Sequence, residues 1–133
     1  MSGVAIAWYL LKTNAALIAV VPAAKIFSGV VPLGTPMPAL SVMEISGVPR
    51  LTVGMNETHP QVTERVQVTA MAATYPAVKS ILTLVRNALP VSRGTVNGFD
   101  CDSITPDLEG PDMPDVDSGI YLQTQDFLVR FNR

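Results

Sequence analysis

Between positions 62 and 72 the chain alternates. Val62, Glu64, Val66, Val68, Ala70 and Ala72 form a mostly apolar set, and Thr63, Arg65, Gln67, Thr69 and Met71 a mostly polar one. A period of two predicts a strand, running to about residue 74, with one face buried. The period then changes. Val78, Ile81, Leu82, Val85 and Leu89 recur at helical spacing, with Lys79, Ser80, Thr83, Arg86 and Asn87 on the other side. That stripe predicts an amphipathic helix over 77–89. Pro76 suits its first turn and Pro90 ends it. A strand that runs directly into a helix can bury one face of each against the other, so residues 62–89 are expected to nucleate an α+β core.

The flanking chain is organised around this unit. Ser2 can cap a helix that shows Val4, Ala7, Trp8 and Leu11 on one stripe. Asn14 can cap a second short helix over 15–20, which Pro22 ends. Residues 25–30 read as a short strand, and the glycines and prolines of 28–38 as a loop. A strand is expected over 39–45, a turn at Ser46-Gly47-Val48-Pro49, a weak strand at 51–53 and a turn over 56–60. After the helix, 95–103 reads as a modest strand. Residues 120–131 form a long closing strand, roughly 40 Å if regular. A strand of that length in a small domain is expected to project beyond the core or pair with another subunit. There are no internal repeats.

A chain of 133 residues makes one domain and can bury roughly two-thirds of its unfolded surface, so it needs no covalent staple. Charged residues are 15% and apolar ones 48%, a balance that fits a compact domain or a subunit covered by neighbours and excludes disorder. The net charge of −2 offers no global field for nucleic acid. Locally the charge is uneven. Residues 100–117 carry seven of the eleven acids, three prolines and no base, which leaves nine bases against four acids elsewhere. Such a segment is expected as an exposed loop or an extended β-arm. The lone Cys101 excludes an internal disulfide and a cysteine zinc cluster, and points to assembly in a reducing, intracellular compartment. The apolar runs 4–11 and 15–21 are divided by Lys12-Thr13-Asn14, so neither reaches the roughly twenty residues of a membrane span. The first lysine also follows the apolar run, whereas a signal peptide carries its charge ahead of it.

Candidate chemistry is thin. Asp115, Asp117 and Asp126 match positions one, three and twelve of a calcium loop, but Gly119 and Ile120 occupy positions five and six, where an oxygen ligand and a glycine are required. Looser divalent binding by crowded carboxylates remains an alternative. The single histidine, His59, lies in a turn far from Cys101, and no third group marks a Cys–His pair. Gly94 and Gly98 lack the following Lys-Ser or Lys-Thr of a phosphate loop. Arg86, Arg93, Arg130 and Arg133 are too dispersed for a nucleic-acid patch. Some of them are instead expected to meet the acidic segment of an adjacent copy.

In order and spacing, the chain resembles the small tail-completion, or tail-terminator-like, proteins of long-tailed bacteriophages. The matching pieces are an N-terminal helix pair before Lys25-Ile26-Phe27, a proline loop leading to Met37-Pro38-Ala39-Leu40-Ser41-Val42, and Val66-Gln67-Val68-Thr69-Ala70 passing into the helix at Pro76. They end with Gly110-Pro111-Asp112, Gly119-Ile120-Tyr121 and 125–131. The resemblance covers nearly the whole chain. It implies an α+β fold with a curved, mostly antiparallel sheet, two main helices and a long C-terminal strand beside the acidic loop or β-arm. It also implies a structural virion protein, built in the host cytoplasm, that closes into a ring of typically six subunits. The ring would stop polymerisation of the tail tube at its head-proximal end and present a surface to the head connector or stopper protein. A sibling role elsewhere in the head–tail neck is the alternative. No catalysis, cofactor, resident metal, specific nucleic-acid recognition or membrane insertion is implied. Asp107, Glu109, Asp112, Asp115, Asp117, Tyr121 and Arg130 are the candidate interface residues. Removing 107–117 is expected to leave a folded monomer that forms no rings.

Overall fold

The computed structural model describes residues 2–32, 34–49, 61–89, 94–96, 98–115 and 119–132. The expected weak strand at 51–53, the turn at 56–60 with His59, and Arg93, Asp117 and Arg133 lie outside the described residues. In chain order the elements are α1 (Ser2–Thr13), α2 (Ala15–Ile18), a 3-10 turn (Ala23–Lys25), β1 (Ile26–Ser28), β2 (Ala39–Pro49) and β3 (Gln61–Ala72). Then follow α3 (Tyr75–Ala88), β4 (Gly94–Val96), β5 (Phe99–Glu109), β6 (Met113–Asp115) and β7 (Ile120–Asn132).

The strands form one sheet in the order β1-β2-β3-β7-β5-β4, with β6 continuing the line of β5 along β7. Among the described residues only the β1–β2 pair is parallel. The alternation in β3 is realised in full: Val62, Glu64, Val66, Val68, Ala70 and Ala72 are buried and their odd-numbered neighbours half-buried. Opposite them on β7 lie Phe131, Val129, Phe127, Gln125, Gln123 and Tyr121, so the same face is apolar at one end and polar at the other. The apolar stripes of α1 and α3 cover it. Ile6, Ala7, Leu11, Ile81, Leu82, Val85 and Leu89 are fully enclosed with Phe127 and Phe131. No helix among the described residues is long and apolar enough to cross a membrane.

Local signals account for most boundaries. Asn14 caps α2, its Oδ1 accepting from the Leu17 N–H at 3.0 Å. Pro76 sits in the first turn of α3. The half-buried Trp8 donates its indole N–H to the Ile26 carbonyl at 2.9 Å, tying α1 to β1. The start of α1 draws on a distant group: the Gly3 N–H donates to Oε1 of the fully buried Glu64 at 3.2 Å. A Cβ on Gly3 would stand 2.7 Å from that oxygen, so a side chain there would push the carboxylate from its place.

Several expectations change. Ser46-Gly47-Val48-Pro49 is not a turn; β2 runs through it to Pro49 and absorbs the glycine with a bulge between Glu44 and Ser46. The modest strand at 95–103 is a hairpin, with β4 folding onto β5 beside Gly98 at φ 82°. The acidic segment is the β-arm of the two forms expected, since β5 and β6 both pair with β7. The long closing strand has no free edge. It lies inside the sheet between β3 and β5–β6, and its thirteen residues are paired by this chain's own strands.

Candidate functional site

Tyr75, Lys79, Thr83 and Arg86 recur along one flank of α3, beside its apolar stripe. They face the polar end of β7 and the acidic β5–β6 arm. Tyr75 donates its hydroxyl to Asp112 Oδ2 at 2.8 Å, and Lys79 Nζ donates to Asp112 Oδ1 at 2.7 Å and to Gln123 Oε1 at 2.6 Å. Gln123 Nε2 donates to the Gly110 carbonyl at 2.9 Å and to Glu109 Oε1 at 3.3 Å. Arg86 reaches Gln125 Oε1 at 3.4 Å and Glu109 at 3.7 Å. The ring of Tyr121 meets that of Tyr75 edge to face at 5.9 Å. Gly110 closes the arm against β7: its N–H donates to the Thr124 carbonyl at 2.7 Å, and a Cβ there would overlap the Thr124 hydroxyl.

The opposite face of the sheet carries a second polar array. Arg65 pairs with Asp107 and, at 3.4 Å, with Asp126, which also accepts from Gln67 at 3.2 Å. Gln61 donates to Asp102 at 3.2 Å, Asn132 to Asp100 at 2.9 Å, and Arg130 to the Ser103 hydroxyl at 3.4 Å. At the far end of this face Val31, Pro32, Gly34, Thr35 and Met37 enclose a groove of about 230 Å³ over Met71, Ile120 and Leu122.

Asp107, Glu109 and Asp112 are therefore engaged by their own chain. Arg86, one of four arginines of which some were expected to meet the acidic segment of an adjacent copy, reaches Glu109 within one subunit. The candidates also fall into two groups, with Glu109, Asp112 and Tyr121 on the helix face and Asp107 and Arg130 on the open face. The backbone of Asp115 pairs with Ile120. Deleting 107–117 would strip β6 and part of β5 from β7, so that variant tests sheet integrity before it tests assembly.

The electrostatics follow the contacts. The hydrogen bond from Lys79, reinforced by Tyr75, holds the Asp112 carboxyl below the usual carboxylate range, and the same bond raises Lys79. A depressed folded pKa gives stability that is present above the unfolded value and lost as pH falls through the folded one. A raised lysine loses its share only as pH climbs through its folded pKa. The clamp is thus intact at neutral pH and released on acidification below the ordinary carboxylate range. Asp112→Asn is expected to remove that part of the acid dependence of unfolding, as read from urea midpoints across an acid pH series. The Asp107 hydrogen bond likewise raises Arg65. Burial, then Asp102 and Asp100, pushes the Cys101 thiol up, which suppresses the thiolate that nucleophilic or redox work requires. Among the described residues no three His, Cys, Asp or Glu side chains converge as a metal-ligand set. Asp126, the twelfth position of the calcium template, is committed to Arg65 and Gln67.

Two surfaces escaped the sequence reading. β1 pairs with β2 over Leu40 to Val42, and farther along β2 Met43, Ile45 and Val48 are exposed, Val48 by 65%. β4 pairs with β5 over Phe99 to Cys101, and farther along β5 Leu108 is exposed by 63%. The apolar residues flanking Gly47 were the available signal for the first, but the glycine and Pro49 read more simply as a turn.

The family model described as tail completion protein gp17 matches residues 9–130. The chain belongs to this tail completion family. No curated protein matches the sequence. Among solved structures, a chain of the virion of a native gene transfer agent particle superposes with a TM-score of 0.70 at 14% identity, covering 98% of this chain and 94% of its own. Another solved chain, which carries no functional description, gives a TM-score of 0.56 at 13% identity and covers 99% and 94%. At these identities the likeness is one of fold. The tail completion protein is a structural component of phage-type tails.

Proposed function

We propose that this tail completion protein closes with identical copies into a ring, typically of six, at the head-proximal end of a tail tube. There it ends tube polymerisation and offers a face to the head connector, after assembly in the host cytoplasm. The observation that carries this reading is the family match over 122 of the 133 residues. The open sheet supports it: its two edges differ, and unlike edges that meet head to tail can close into a ring. The protein acts in this reading through shape and transforms no substrate. The paired acids stiffen the β5–β6 arm within each subunit, while Asp115, Asp117, Tyr121 and Arg130 remain candidates for contact with tube or connector.

Native mass measurement with negative-stain microscopy of the purified chain is the test, followed by addition of tail tubes. Closed rings that bind one tube end and halt growth are expected. Monodisperse monomers at high concentration, or rings indifferent to tube ends, would overturn the reading.

A further inference from the structure

We propose that residues 15–24, with Lys12 and Lys25 at their borders, form the face on which each copy receives the acidic β5–β6 arm of the next, through Leu108 and Met113 of that arm. The inference rests on the ring reading and deepens it by naming one contact surface and its occupant, a second copy of this chain.

The surface begins with the sequence. Residues 15–24 are ten consecutive positions without a polar side chain. Leu17 and Val21 turn inward and are fully buried, whereas Ile18 is exposed by 36% and Val20 by 46%. Ala15, Ala16, Ala19 and Pro22 are exposed beside them. α2 is four residues long and packs against α1 and α3, so the run is fixed on the helix layer with one apolar side outward. An apolar surface of this kind on a folded subunit marks a contact with a partner.

Charge selects the occupant. Residues 1–43 hold Lys12 and Lys25 and no acid. Lys12 lies 3.9 Å over the Trp8 ring, and Lys25 ends the 3-10 turn just before β1. Neither lysine meets a carboxylate among the described residues. The arm has the opposite character. Residues 94–115 hold six acids and no base, and among the described residues Arg65, Lys79 and Arg86 are the cations that reach them. Negative charge is left over. The arm also exposes two large apolar side chains, Leu108 between Asp107 and Glu109, and Met113 beside Asp112. An apolar face bordered by lysines and an apolar pair bordered by acids are complementary in both respects.

The two surfaces also lie on different sides of one subunit. Lys25 leads into β1 at one end of the sheet order, and the arm pairs with β7 toward the other. A contact between unlike surfaces leaves each added copy with one of them free, the condition for a ring. A bilayer is the poorer occupant, since a net charge of −2 gives anionic headgroups no attraction.

Two variants test the contact. Ile18→Asp with Val20→Asp places carboxylates on the face, and Leu108→Lys with Met113→Lys places amines on the arm. All four positions are exposed, so circular dichroism and unfolding midpoints should stay close to wild type. Each variant alone is expected to lower the ring population by about tenfold or more, since a loss of 1.4 kcal/mol per contact gives that factor. Mixed one to one, each variant lends the other its intact partner surface, and the introduced carboxylates meet the introduced amines. Oligomers holding both variants in equal share should therefore return. Rings that persist in either variant, including rings that have lost only their binding to tubes or to anionic vesicles, would overturn the contact and leave the ring reading standing. A mixture that stays monomeric would do the same. A wild-type chain that forms no ring would overturn both.

Discussion

Phe127→Ala is expected to cost about 3–5 kcal/mol of folding stability, a large share of the total for a domain of this size. Phe127 is fully buried on β7, with Val66 of β3 on one side and Pro106 of β5 on the other. It stands where the two halves of the sheet meet beneath the helices. Its neighbours belong to several elements, so no single one can move inward to fill the space. The cost is therefore transfer free energy plus a cavity term. A urea titration should show a lower midpoint at unchanged slope, and the melting temperature should fall by roughly 10–20 °C. Leu128, one residue on, points to the open face and is half-buried; its alanine variant should lose only about 1 kcal/mol. Equal losses at the two positions would mean that the assigned faces of β7 are wrong.

Removing the Glu64 side chain should be the next most damaging change. Glu64→Ala is expected to lose about 2–3 kcal/mol, because the Gly3 N–H at the start of α1 loses its acceptor inside the protein. The carboxylate also faces the positive end of the helix dipole. Glu64→Gln keeps an acceptor and the volume but loses the charge, so about 1 kcal/mol is expected. Chemical unfolding of the two variants separates the contributions. A glutamine variant as weak as the alanine one would assign the whole effect to charge, and an alanine variant of wild-type stability would remove the capping role. An apolar replacement of similar volume is the informative extreme, since buried carboxylates are expensive to desolvate.

Both changes act on the subunit before they act on assembly. Met43, Val48 and Leu108 behave differently: they are exposed, so substitution there should leave the subunit fold intact.

The amino-acid sequence determined the elements whose signal is local. The alternation through β3, the helical stripe of α3 with Pro76 and the Asn14 cap each follow from spacing and side-chain chemistry within a few residues. The α+β class follows from their sum. The order of motifs along the chain was enough for the family. Tertiary structure decided what depends on strand neighbours. A twelve-residue apolar strand reads the same at the edge of a sheet as at its centre, and only pairing put β7 inside. Gly47 and Pro49 carry turn chemistry, which the β3 ladder overrode with a bulge. The seven clustered acids suggested a solvated segment, because a sequence does not reveal that Arg65, Lys79 and Arg86 come from elsewhere to meet three of them. Glu64 looked like a polar lapse in an apolar face until the start of α1 was found against it. In each case the deciding energy comes from groups distant along the chain and adjacent in space, which no local pattern encodes.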